Sequence, residues 1–251
     1  MNDSNGSTPK TLLITGAARR VGAAVARHCH QHGMNVAIHA HHSVEGLHTL
    51  VAELNAQRPH SAVALVGDLN HPETPTRLIA ESLATFGRLD ALVNNASTFY
   101  PTPMGTIQWD QFDDLIGSNL RAPLFMAQAA QAALTDRQGS ILNIIDIHGQ
   151  KPLKNHPVYS AAKAGLWMLT LSLARELGPH IRVNGIAPGP VLWPDQALDE
   201  QRRQDIINRT ALKRPGTPLD IAKTALFLLQ DAPYITGQII AVDGGRSAAG
   251  Y

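Results

Sequence analysis

Seven short apolar runs punctuate the chain: TLLIT (11–15), VAIHA (36–40), AVALV (62–66), ALVNN (91–95), SILNII (140–145), IRVNGIA (181–187) and QIIAV (238–242). Runs that are apolar on both faces read as strands covered on both sides, which is the habit of a parallel sheet. The stretches 20–32, 44–57, 73–86, 108–134, 157–177 and 218–230 carry Ala, Leu, Gln and Arg at helical spacing and supply the crossovers. The alternation predicts an α/β fold: one doubly wound domain, with a seven-stranded parallel sheet and helices on both faces. In such a sheet a ligand sits beyond the carboxyl ends of the strands. The Pro- and Gly-bearing loops 100–105, 188–194 and 215–218 are expected to frame it there.

Composition narrows the partners. With 251 residues, 44% hydrophobic and 16% charged, the chain can bury a substantial core as a single domain, expected over 10–251 after a flexible tail over 1–9. A formal net charge of +1, with Lys and Arg scattered, argues against a nucleic-acid or anionic-membrane surface and leaves a small molecule as the expected partner. Cys29 is the one cysteine and cannot form an intrachain disulfide. The opening MNDSNGSTPK has no apolar segment, and no apolar run approaches the roughly 20 residues that span a bilayer. A cytoplasmic protein is the expectation.

The first run feeds Thr15-Gly16-Ala17-Ala18-Arg19-Arg20-Val21-Gly22. A tight strand-to-helix turn leaves the first helical N–H groups and the helix dipole facing a ligand, so it can hold a pyrophosphate, with glycine allowing close backbone approach. Arg20 stands where the usual dinucleotide fingerprint has a middle glycine, and read alone the segment equally fits an ordinary connection. In dinucleotide folds an acidic residue near the end of the second strand holds the ribose hydroxyls of NAD. Here that region reads His39-Ala40-His41-His42-Ser43, with no carboxylate before Glu45. A carboxylate would repel a 2′-phosphate, whereas Ser and imidazole donate to one, so NADPH is favoured. The same histidines also suit a solvated loop. His28, His30 and His32 surround Cys29, but they fit the polar face of a surface helix better than a zinc site, and no metal is expected.

Downstream, the segment NIIDIHGQKPLKNHPVYSAAK (143–163) sets Tyr159 and Lys163 four residues apart, on one face of a helix. An ammonium beside a phenol favours phenolate and is expected to lower the phenol's pKa, making a usable acid/base. Asp146 lies thirteen residues before the tyrosine.

These segments resemble the short-chain dehydrogenase/reductase family: TGxxxxxG at 15–22, Asn94-Asn95-Ala96, Asn119, Tyr159-x-x-x-Lys163, Pro188-Gly189 and Asp243-Gly244-Gly245, a likeness covering 10–246. The resemblance implies a Rossmann-type domain, hydride transfer from a nicotinamide, and a homotetramer built on the two long helices. Tyr159 would be the acid/base, Lys163 would hold the nicotinamide ribose, and Asn119 would support a proton relay. It places Gly16, Val21, Asp68, Leu69, Asn95, Ala96, Pro188 and Gly189 against the cofactor, together with His41, His42 and Ser43.

Three departures coincide. Most members of the family have Ser at the place of Asp146, Gly at that of Ser97 and Gly at that of Arg20. With NNASTFYPTP (94–103), the histidine-rich end of the second strand and YITG (234–237), this set is similar to the pteridine reductase branch. By that likeness Arg20 and Ser97 contact cofactor phosphates and pterin, Phe99 stacks on the pterin, and Trp193 lines the far end. A carboxylate suits such a substrate. It can accept from the amino or N–H edge of the ring and hold Tyr159 or a water as the proton source. Asp146 alone would also suit a turn cap, and Phe99 alone would suit packing. The expected function is reduction of a dihydropterin to its tetrahydro form. The alternatives are reduction of a ketone or 3-oxoacyl thioester, or a non-catalytic nucleotide-binding scaffold.

Overall fold

The computed structural model describes residues 8–191 and 199–248. Trp193, and the expected tail as far as residue 7, lie outside the described residues. The strands are β1 (Thr11–Ile14), β2 (Asn35–Ala40), β3 (Ala62–Val66), β4 (Ala91–Asn94), β5 (Ser140–Ile144), β6 (Arg182–Pro188) and β7 (Ile239–Val242). They form one parallel sheet in the order β3-β2-β1-β4-β5-β6-β7. The order reverses direction at β1, which sits next to β4, and there the loops leave the sheet to opposite sides and open a crevice.

The helices are α1 (Arg20–Gln31), α2 (Val44–Gln57), α3 (Thr74–Phe86), α4 (Trp109–Ile116), α5 (Ala122–Thr135), α6 (Pro157–Glu176), α7 (Glu200–Asn208) and α8 (Pro218–Leu226). Two apolar cores lie on the two faces of the sheet. One gathers Leu12, Ile14, Val25, Ile38, Leu50 and Ile221, from β1, β2, α1, α2 and α8. The other gathers Leu13, Leu78, Leu92, Met126, Leu134 and Ile141, from β1, β4, β5, α3 and α5. Leu12, Leu13 and Ile14 of β1 are fully buried, alternating between the cores, which is why the strand shows no polar side in sequence.

Two features differ from the sequence reading. α7, with sequence EQRRQDIIN, buries none of its residues, so it carries no apolar period by which it could be recognised. The long crossover expected over 108–134 is interrupted by a π-helical turn at Gly117–Arg121, between α4 and α5. Among the described residues no helix is long and apolar enough to cross a membrane.

Candidate active site

The ends of β1, β2, β3 and β4 open into a cleft of about 760 Å³. Gly16, Arg20 and Val21 line it from the first turn, and His41, His42 and Ser43 from the end of β2. Asp68 and Leu69 follow β3, while Asn95, Ala96, Ser97 and Phe99 follow β4. All of these were expected against the cofactor or substrate. Pro188 and Gly189 do not line this cleft. They end β6, two strands away from β4, where the Gly189 N–H donates to Val242 O at 3.0 Å.

The first turn is held from behind. Thr15 Oγ1 accepts the amides of Asn95 at 3.0 Å and Ala96 at 3.1 Å, and Asn95 Nδ2 donates to the carbonyls of Thr15 and Gly16, each at 2.9 Å. Asn95 therefore fixes the turn with its side chain and is also one of the residues lining the cleft. Gly16 has φ +62, and a Cβ there would stand 2.6 Å from Ala96 Cα, so the approach of the two loops requires glycine. Arg20 adopts φ 57, a left-handed conformation costly to a residue with a Cβ. This is the position where most of the family resembled above has glycine. A strained arginine kept at the mouth of an anion-type turn points to use of its side chain in the cleft.

Lys163 and Tyr159 project from one face of α6, which starts at Pro157 with its fixed φ, favourable at a first helical position. Tyr159 is 5% exposed and Lys163 2%. The phenol donates to Asp146 Oδ2 at 2.8 Å, and the other carboxylate oxygen accepts the His148 amide at 2.9 Å. Asp146 thus caps a short 3₁₀ turn and also holds the tyrosine. Lys163 Nζ donates to Ile144 O at 3.0 Å, at the end of β5, and lies 5.7 Å from the Tyr159 ring centre. Ser97 Oγ donates to Asn119 Oδ1 at 2.6 Å. Asn119 sits in the π-helical turn, fully buried, its amide donating to Thr98 O and Leu115 O at 3.0 Å each. The wider turn is the local feature that aims this side chain inward.

The electrostatics correct one expectation. Tyr159 is held well above the ordinary phenol range, first by burial, then by the neighbouring Asp146 charge and its hydrogen bond, with a Ser97 hydrogen bond pulling the other way. The Tyr/Lys spacing alone implied a lowered value. Burial lowers Lys163 to about 8, against the attraction of Asp146, and its Nζ bonds Ile144 O while the phenol bonds Asp146. What results is a protonated phenol bonded to a carboxylate.

Phe99 is 45% exposed. One face stacks on His156, with ring centres 4.7 Å apart and planes at 10°, and Tyr159 meets it edge-on at 4.8 Å. The ring is therefore a wall between the cleft and the phenol. Two residues of this region were missed: His156, which immediately precedes α6 and stacks behind Phe99, and His39, whose imidazole sits at the back of the first turn. A histidine inside the otherwise apolar run VAIHA was the available signal for the second. Among the described residues no grouping of His, Cys, Asp and Glu has metal-holding geometry, and His28 and His32 contact each other, ring centres 4.4 Å apart.

A family model described as Enoyl-(Acyl carrier protein) reductase matches residues 16–247. The chain is 35% identical to Pteridine reductase 1 of Leishmania tarentolae, over 96% of this chain and 97% of that one. It is 36% identical to L-rhamnose 1-dehydrogenase (NAD(P)(+)) of a Sphingomonas species, over 94% and 95% of the two chains. It is 35% identical to the 3-oxoacyl-[acyl-carrier-protein] reductase of Staphylococcus aureus, over 94% and 97%. These matches run through the glycine turn, the Asn119 turn and the Tyr159/Lys163 helix, and on them the chain belongs to the short-chain dehydrogenase/reductase family of oxidoreductases.

Proposed function

We propose that the protein is an NADPH-dependent pteridine reductase, converting a dihydropterin to the tetrahydro form. The observation that carries this reading is the carboxylate of Asp146, 2.8 Å from the Tyr159 hydroxyl, where a ketone reductase needs only a hydroxyl donor. The cleft suits a dinucleotide. Its first turn opens on the cleft at Gly16, Arg20 and Val21, Arg20 adds a cation at the cleft wall, and His41, His42 and Ser43 stand at the end of β2 with no carboxylate among them. Such a cofactor supplies the hydride when bound. Arg20, His42 and Ser43 would hold its phosphates, and Lys163 its nicotinamide ribose.

The protein's own part is proton delivery and orientation. Reducing a ring C=N bond puts hydride on carbon and leaves an electron pair on nitrogen, which takes a proton. Tyr159, kept protonated by burial and by Asp146, is the donor, and Asp146 accepts from the amino or N–H edge and aligns the ring. Phe99 offers its half-exposed ring as the stacking wall. Asn119 holds Ser97 in place beside the phenol, accepting its hydroxyl at Oδ1. We further place the enzyme in the cytoplasm as a homotetramer, with the exposed Leu124 and Phe125 of α5 and Met168 and Leu171 of α6 as the joining faces.

The relatives named for rhamnose and 3-oxoacyl substrates match as well as the pteridine reductase, so a carbonyl substrate is the competing reading. One assay separates them: NADPH oxidation with dihydrobiopterin, dihydromonapterin, dihydrofolate and an acetoacetyl thioester in parallel, and NADP⁺ reduction with L-rhamnose. A dihydropterin is expected to give the highest kcat/KM, and NADPH to exceed NADH. Turnover confined to the thioester or the sugar would overturn the reading.

Two further results are expected. Phe99→Ala weakens dihydropterin binding by on the order of 1 kcal/mol and leaves NADPH affinity nearly unchanged. An equal loss of NADPH affinity, or a lower Tm with unchanged kinetics, would instead mark Phe99 as packing. Because kcat/KM reports groups of the free enzyme, it should fall as pH rises through about 8, where Lys163 loses its charge. A profile flat to pH 9.5 would count against a role for the Lys163 ammonium.

A further inference from the structure

His39 is 1% exposed and lies at the back wall of the cleft, near the end of β2. Its Nε2 is 2.9 Å from Gly67 O, an atom that can only accept, so Nε2 carries the proton. In a neutral ring that leaves Nδ1 as an acceptor, and the Gly16 amide donates to it at 3.3 Å. The backbone of the same residue acts in parallel, since His39 O accepts the Ala17 amide at 2.8 Å. One residue therefore takes two successive amides of the glycine turn and ties them to the end of β3.

We propose that His39 is the positioning residue of the cofactor turn, its neutral Nδ1 holding the Gly16 amide out of the cleft and so fixing the turn on which the dinucleotide phosphates rest. The proposal rests on the dinucleotide reading of the cleft given above.

Three observations make the side chain more than filler. Gly16 sits at φ +62, and a Cβ there would stand 2.6 Å from Ala96 Cα, so no other residue fits this turn, and the side-chain acceptor its amide meets is His39 Nδ1. A protonated ring would turn an N–H against the Gly16 N–H, two donors facing each other in a buried place. The surroundings keep the ring neutral: burial lowers its pKa, helped by the charges of His41 at the end of β2 and Arg77 on α3, and opposed by the Gly67 bond and by Asp68 after β3. Arg77 is itself anchored on the same strand end, donating to Val66 O at 2.8 Å.

A pair of substitutions tests the acceptor itself. Asn places its side-chain oxygen near the position of Nδ1, and Gln places its amide nitrogen near that of Nε2. His39→Asn keeps the acceptor for Gly16 and loses the donor to Gly67, whereas His39→Gln does the reverse. NADPH and NADH affinities, read by nucleotide fluorescence, should weaken about tenfold in His39→Gln and stay within about threefold in His39→Asn, at similar Tm for the two variants. Equal losses in the two variants, or wild-type affinity in His39→Gln, would overturn the proposal while leaving the dinucleotide reading standing. A wild-type protein that binds neither nucleotide would overturn both. Should the variants not fold, the wild-type protein carries the test by NMR. The His39 ring should be the Nε2–H tautomer, with the Gly16 amide shift following its titration, and a Gly16 amide indifferent to that titration would overturn the proposal.

Discussion

Asp146→Asn is expected to cut turnover on a dihydropterin by roughly 10²–10⁴-fold, the range typical of a lost acid/base group. The substitution keeps the size of the side chain and an oxygen that can still accept the His148 amide, now made to Asp146 Oδ1 at 2.9 Å, so the 3₁₀ turn should survive. What disappears is the charge that bonds the Tyr159 hydroxyl and receives the ring edge. NADPH should bind as before, because the glycine turn, Arg20 and Lys163 are untouched. Near-wild-type turnover in this variant would show that the carboxylate is a turn cap and nothing more.

Tyr159→Phe should have an effect of the same order, since it removes the proton donor. Its more informative consequence is in combination. The phenol and the carboxylate share one hydrogen bond of 2.8 Å, and groups that act as a unit lose their function once, whichever partner is removed. Tyr159→Phe/Asp146→Asn is therefore expected to turn over within about tenfold of the slower single variant, not at the product of the two losses. Multiplying losses would mean that the residues act in separate steps, with Asp146 serving the substrate independently of the tyrosine.

Much of the fold could be read from the chain because a parallel sheet buries both faces of its strands. The Leu-Leu-Ile run of β1 and the Ala-rich α5 mark themselves without any tertiary information. α7 could not be read this way, since a helix with no buried residue leaves no period in its sequence. In the site, the pairing of Tyr159 and Lys163 followed from spacing on one helix face, and the place of Asp146 beside them from the family resemblance. The direction of the tyrosine's pKa did not, because spacing reports which groups are near and not how deeply they lie. Burial of Tyr159 to 5% and of Lys163 to 2% disfavours the charged form of each, and the phenol bonds Asp146 while Lys163 bonds Ile144 O. His39 escaped notice for a related reason. It lies near the end of the strand run VAIHA and reads in sequence together with the histidines after it, and only the neighbouring strand ends reveal that both ring nitrogens are engaged. Pro188 and Gly189 stand at the end of β6, two strands from β4, and, like Asp146, Tyr159 and Lys163, they lie outside the lining of the cleft at the ends of β1 to β4.

The central claim is that the carboxylate at position 146 selects a ring C=N bond over a carbonyl. The direct measurement is the ratio of kcat/KM for dihydrobiopterin to kcat/KM for an acetoacetyl thioester, in the wild type and in Asp146→Ser. The serine restores a hydroxyl beside Tyr159, the partner that suits a ketone oxygen, and leaves the phosphate turn alone. The account predicts a wild-type ratio above one that falls at least about tenfold in the serine variant, through slower pterin reduction. A ratio unchanged by the substitution, with pterin turnover intact, would contradict it.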